Sequence, residues 1–231
     1  MSNFESLVEA ESNLEYLKVG RGSKKAIFML HGYGASMNDL AGLESALDQN
    51  NEYDWFFPNA PIKIALGMHM EGRAWFPINM QELERAMRTG EFRRFEDKNP
   101  KEFQEALSLA NKFVQSLSSQ YDEVIIGGFS QGAMVSSHLS GMDIKNLKAL
   151  ILFSGTLLAK DSLIEKLEGK DSIPFFQSHG KVDPVLNFDE SMKLFELLKL
   201  CRFQGEFVPF DGAHEIPPIV IRKSIEFLAR I

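Results

Sequence analysis

The sequence predicts an α/β fold: a doubly wound, mostly parallel sheet with helices on both faces, formed by one domain over residues 1–231. Three observations carry this. Short apolar runs of strand length recur along the chain, among them Ala26–Leu30, Asp54–Phe57, Val124–Ile126 and Ala149–Phe153. Segments with helical spacing lie between them, so strands and helices alternate from Ala26 to the C-terminus. No Gly/Ser/Pro-rich linker, low-complexity tract or internal repeat marks a domain boundary, and 231 residues suit a single α/β unit.

Taken in order, Leu14–Val19 alternates loosely and reads as an outer strand. Ala26–Leu30 is a buried strand, and Asn38–Leu47 looks helical. Asp54–Phe57 is a strand stopped by Pro58-Asn59-Ala60-Pro61. Residues 62–80 lack clear periodicity and read as a loop rich in soft side chains. Leu83, Ala86, Met87 and Gly90 keep an i, i+3, i+4, i+7 spacing, which predicts a short amphipathic helix over Gln81–Thr89. A stronger helix, Pro100–Leu117, feeds the strand Val124–Ile126, and Gln131–Leu139 is helical again. Ala149–Phe153 is a strand, Asp161–Leu167 a helix, and Ile173–Gln177 a strand interrupted by Pro174. Phe188–Leu200 is helical, Glu206–Val208 a strand, and Pro217–Ile231 the closing helix.

Composition excludes several functions. The net charge of −7 argues against nucleic acid and anionic membrane surfaces as partners. The single cysteine, Cys201, rules out an internal disulfide and, among leucines, reads as a packed thiol. Residues 1–12 carry acids and no basic n-region, and no apolar run reaches membrane-spanning length. A soluble, cytoplasmic protein without stable membrane insertion is the expectation.

The chemistry centres on Gly128-Phe129-Ser130-Gln131-Gly132, a G-x-S-x-G sequence set between a strand and a helix. A serine at the tip of so sharp a turn sits in strained backbone space, and side chains two positions either side would collide, so glycines fit there. The turn leaves the Ser130 hydroxyl at the head of a helix, whose N-terminal amides favour developing negative charge. Alone the motif is weak; the flanking strand and helix raise it to a nucleophile elbow.

His31-Gly32-Tyr33-Gly34 follows the Ala26–Leu30 strand. A dinucleotide loop fails because Met37 stands where glycine or alanine is needed, and no G-K-[ST] supports a phosphate loop. An oxyanion loop of H-G-x-G type and plain turn glycines both remain open at this point. Two later loops carry the groups a serine needs. Ser178–Pro184 offers His179 and Asp183, and Phe210–Pro217 offers Asp211 and His214. An acid followed by a histidine, each after a late strand, points to Asp183 and His214, with His214 as base and Asp183 orienting it. His138 on the helix after the elbow reads as packing or a surface contact, and His69 as a residue that could line the cleft. A metal site could be drawn from His179, Asp183 and His214, but no ligand-type spacing supports it, so no metal is expected.

Together Gly128–Met134, His31–Gly34, His179-Gly180 with Asp183-Pro184, and Gly212 with His214 resemble the phospholipase/carboxylesterase family of α/β-hydrolases, which includes acyl-protein thioesterases and small bacterial carboxylesterases. The resemblance runs in order from about Ala26 to the last helix. It implies the α/β-hydrolase fold, Ser130 as nucleophile, His214 as base and Asp183 as its acid, and the backbone amides of Tyr33 and Gln131 as oxyanion hole. It also makes Arg73-Ala74-Trp75-Phe76 similar to the family's cleft-lining segment. Beside it, Met68, Met70, Trp75 and Phe76 would suit an acyl-binding wall, since thioethers and rings adapt to chains.

Residues 81–99 look longer and more charged than in compact members. They are read here as a lid-like insertion that could bring Leu83, Met87, Phe92 or Phe95 to an acyl chain, against the alternative of a helix packed on the outer surface. The expected activity is carboxylic ester hydrolysis through a Ser-His-Asp triad and an acyl-enzyme, needing no cofactor. The nearest alternative is a thioesterase or lysophospholipase acting on long acyl chains, and another is a ligand-binding module without turnover. A small or lipid-like acyl ester is the expected partner, and a homodimer is left open.

Overall fold

The computed structural model describes residues 4–67, 71–89 and 94–231. Its centre is an eight-stranded sheet in the order β1-β2-β4-β3-β7-β8-β9-β10. The strands are β1 (Phe4–Val8), β2 (Glu15–Val19), β3 (Lys25–Leu30), β4 (Asp54–Pro58), β7 (Glu123–Phe129), β8 (Leu147–Phe153), β9 (Pro174–Gly180) and β10 (Gln204–Phe210). From β4 through β10 every pairing is parallel, while β2 runs antiparallel to β4 and β1 antiparallel to β2. A separate antiparallel hairpin joins β5 (Ile62–Ala65) to β6 (Glu71–Ala74).

Both faces of the sheet are covered, which is why its central strands are apolar at consecutive positions rather than alternating. In β3, Ala26, Phe28 and Leu30 face one layer, built by α3 (Lys101–Ser118), α4 (Gln131–Leu139), α5 (Lys160–Leu167) and α6 (Phe188–Leu200). Ile27 and Met29 face the opposite layer, where α1 (Leu43–Leu47) and α7 (Pro218–Leu228) pack. On the first face the rings of Phe28 and Phe56 stack at 4.7 Å, and Phe113 of α3 meets Phe28 edge-on at 6.0 Å.

Several elements differ from the sequence reading for identifiable reasons. Strand β1 adds an outer partner beyond β2; all five of its residues are exposed, so it carries no apolar signature of burial. Only Leu43–Leu47 of the expected Asn38–Leu47 helix forms. Before it, the Ser36 amide and hydroxyl donate to the Asp39 carboxylate at 2.9 and 2.8 Å, a local turn that competes with helix. Part of the stretch 62–80 is the β5–β6 hairpin. Pro174 opens β9 instead of interrupting it, and β9 runs on through His179 and Gly180, paired with Pro209 and Phe210. The amphipathic helix is α2 (Met80–Thr89). Among the described residues no helix is long and apolar enough to cross a membrane.

Candidate active site

The turn from β7 into α4 holds Ser130 at φ 57°, ψ −119°, a left-handed backbone that a non-glycine residue adopts only under constraint. The constraint is visible on both sides. A side chain at Gly132 would place its Cβ 2.0 Å from the Leu30 carbonyl oxygen, and one at Gly128 would lie 2.4 Å from the Gly132 carbonyl carbon. The two glycines therefore let α4 pass against the ends of β3 and β7. The Ser130 amide is fixed by the Phe153 carbonyl at 2.9 Å.

The loops after β9 and β10 bring a second pair together. His214 Nδ1 lies 2.6 Å from Asp183 Oδ2. The other oxygen of Asp183 accepts the Val185 and Leu186 amides at 2.8 and 2.9 Å, so the carboxylate is held at both ends. Burial pushes the Asp183 carboxyl up, yet the hydrogen bond and charge of His214 and those two amides outweigh it and leave the group below its ordinary range. His179, set inside β9 and completely buried, lies with Nε2 3.3 Å from the same Oδ2 and 3.0 Å from the Leu186 carbonyl. It is not among the residues that line the cavity bordered by Ser130 and His214. Asp211 is exposed and paired with Lys181 at 2.8 Å. The structure thus brings Asp183 and His214 together, with His179 against the same carboxylate and Asp211 paired elsewhere.

Ser130 and His214 line one cavity of about 250 Å³ with Gly32, Tyr33, Phe76, Ile78 and Phe95. Its walls are mostly apolar and include both Ser130 and His214, which suits a carbonyl joined to a hydrocarbon chain. Tyr33 and Gln131 both border it, and among the described residues neither of their N–H groups has an acceptor. Phe76 lines the cavity, whereas Trp75 is fully buried behind the wall, its Nε1 donating to the His31 carbonyl at 2.9 Å. Met68, Met70, His69 and Phe92 lie outside the described residues, as do the side chains of Leu83 and Met87. Phe95 is buried and lines both this cavity and a neighbouring groove that includes Glu82, Lys98 and Asn99.

Other contributors were not legible as motifs. The Gln131 side chain accepts the Trp75 amide at 3.1 Å and donates to the Phe76 carbonyl at 2.8 Å, tying the elbow to the aromatic wall. The Gly34 amide donates to the Arg73 carbonyl at 2.9 Å and the Arg73 amide to the Ala35 carbonyl at 2.8 Å, bridging the loop after β3 to β6. That approach requires glycine at 72, where a Cβ would lie 2.3 Å from the Gly34 oxygen. His138 is buried in α4, bonded through Nε2 to the Leu158 carbonyl at 2.9 Å and edge-on to Phe103, so it packs. Among the described residues no group of three or more His, Cys, Asp or Glu side chains is arranged so that it could hold a metal ion.

Residues 17–231 match the profile of the phospholipase/carboxylesterase family. The chain belongs to that family. It is therefore a hydrolase of ester bonds with the α/β-hydrolase fold. Acyl-protein thioesterase 1 of Candida albicans is 31% identical to it over 226 residues, 92% of this chain and 94% of the relative. Acyl-protein thioesterase 1 of Debaryomyces hansenii is 30% identical, covering 89% of this chain and 90% of its own. In three dimensions the chain resembles the crystal structure of acyl-protein thioesterase 2 from Zea mays, with a TM-score of 0.73 at 19% identity over 93% of this chain and 97% of that one. A carboxylesterase from Mesorhizobium loti superposes with a TM-score of 0.72 at 17% identity, over 97% and 98% of the two chains.

Proposed function

We propose that the enzyme cleaves acyl esters through Ser130, His214 and Asp183, by way of an acyl-enzyme. The observation that carries this is the bond of 2.6 Å from His214 Nδ1 to buried Asp183, with His214 and Ser130 bordering the same apolar cavity. Asp183 holds the Nδ1–H tautomer, leaving Nε2 free to take the Ser130 proton as Oγ attacks the carbonyl carbon. The carbonyl oxygen becomes an oxyanion, stabilised by the N–H groups of Tyr33 and Gln131. Collapse breaks the bond to the alcohol, which leaves with the proton from His214. Water then gives a proton to Nε2 and attacks the acyl carbon, and the acid departs as Oγ regains its proton.

An acyl thioester is a second substrate class, favoured by relatives at 30–31% identity that are named acyl-protein thioesterases. In this reading Phe95 acts as part of a partial lid on the cavity. The test is a kcat/KM profile across p-nitrophenyl esters of graded chain length with one acyl-thioester beside them. Turnover of both classes by the wild type and of neither by Ser130→Ala is expected. A profile unchanged in that variant overturns the proposal.

A further inference from the structure

His31 follows β3 directly, its ring fully inside the protein at 1% exposure, and it is not among the residues lining the cavity. Both ring nitrogens are engaged. Nε2 lies 3.0 Å from the Ala60 amide nitrogen, which can only donate, so Nε2 is the unprotonated acceptor. The proton of the neutral ring is then on Nδ1, 2.7 Å from the Gly32 carbonyl oxygen. That carbonyl belongs to the same peptide unit as the Tyr33 N–H. The unit is planar and trans, so its C=O and N–H point in opposite directions, and fixing one fixes the other.

We propose that His31 is a positioning residue for ester hydrolysis: by holding the Gly32 carbonyl inward, its ring aims the Tyr33 N–H into the cavity, at the oxygen that gains negative charge. The inference rests on the reading of Ser130 as nucleophile and Tyr33 as an oxyanion donor. The location fits. A Cβ on Gly32 would lie 3.1 Å from Ser130 Cβ, so this peptide unit passes directly against the nucleophile. The Ala35 amide also reaches the Gly32 oxygen, at 3.4 Å, leaving the ring as the closer of its two donors. The Trp75 indole pins the His31 carbonyl from the far side.

The ring's neutrality follows from its surroundings. Burial pushes His31 down to about 4 and Arg73 adds to this, while the Gly32 carbonyl and Asp39 oppose it without prevailing. A ring that stays neutral keeps Nε2 free for Ala60 and one proton on Nδ1 throughout the working range of a histidine base.

Two amide variants separate aiming from anchoring, because each copies one half of the ring. In His31→Asn the side-chain nitrogen can take the place of Nδ1 and still donate to Gly32. In His31→Gln the end group takes the place of Nε2 and can serve Ala60, but not Gly32. Rates with a p-nitrophenyl ester, divided by the number of sites that a fluorophosphonate labels to completion, exclude misfolded protein. The expected result is kcat within about tenfold of wild type for His31→Asn. For His31→Gln a loss of about 10²–10³ in kcat is expected, with KM within about threefold, as when an oxyanion donor is misaimed. His31→Gln as active as His31→Asn per labelled site overturns the proposal. Histidine-selective ¹⁵N NMR of the wild type needs no variant to fold: a neutral Nδ1–H tautomer for His31 from pH 8 to 5 supports the inference, and an Nε2–H tautomer ends it. Failure of the underlying reading looks different, because Ser130 of the wild type would then escape labelling.

Discussion

Asp183 Oδ2 meets two imidazoles at once, His214 Nδ1 at 2.6 Å and His179 Nε2 at 3.3 Å, inside a site closed to solvent on the Asp183 side. The carboxylate therefore accepts from one ring that reaches the cavity and is braced by a second that does not. An amide in its place would present an NH₂ to one or both rings and turn His214 to the wrong tautomer. Asp183→Asn is expected to lose up to about 10⁴ in kcat while remaining folded, since its Oδ1 can still accept the Val185 and Leu186 amides. Steady-state rates beside a thermal melt check this. A variant with near-normal kcat would remove Asp183 from the mechanism.

Stability should fall with acid in two windows. His31 and His138 are each pushed down to about 4, chiefly by burial, whereas an unfolded histidine titrates near 6.5. Between about pH 6.5 and 4 the unfolded chain binds protons that the folded chain refuses, so stability drops through that range and levels off beneath it. Glu9 acts at lower pH. Burial raises its carboxyl, but the amides of Glu11 and Ser12 and the hydroxyls of Ser12 and Ser116 hold it at about 2. Its stabilisation is present above about pH 4.5 and disappears as pH falls toward 2. In urea melts from pH 8 to 4, His138→Gln keeps a donor for Leu158 and is expected to remove on the order of 2 kcal/mol of the drop. Identical slopes for wild type and variant would contradict it.

Phe95 stands between the cavity and the groove beside it, both of which also share Phe76 and Ile78 as walls. Phe95→Ala is expected to join the two spaces. Each further methylene that finds apolar cover adds about 0.8 kcal/mol, close to fourfold in kcat/KM, so the long-chain to short-chain ratio should rise several-fold. Truncating so buried a ring also lowers the melting temperature, by a cost of roughly 3 kcal/mol or more. A lower melting temperature with an unchanged ratio would make Phe95 a core residue only.

Much of this was legible in the sequence because the relevant physics is local. The elbow needs glycines at fixed offsets from Ser130, and the central strands, covered on both faces, announce themselves as continuous apolar runs. Other features depend on contacts between distant segments. Nothing local distinguishes His179, one residue inside β9, from a loop histidine. The Gln131 side chain acts on Trp75 and Phe76 more than fifty residues away. Gly72 is required only because β6 crosses the Gly34 backbone, and β1 is a strand whose exposed face leaves no pattern to read. The role given to Trp75 shifts for the same reason: its ring supports the loop after β3 from behind, and Phe76 meets the cavity.

The most direct measurement of the central claim is exhaustive reaction with a fluorophosphonate, followed by intact-mass analysis and peptide mapping. One adduct per chain, on Ser130, is expected. Ser130→Ala should remain unlabelled and lose on the order of 10⁶ in kcat. An adduct on a different serine, or a Ser130→Ala enzyme that hydrolyses esters at near the wild-type rate, would contradict the account.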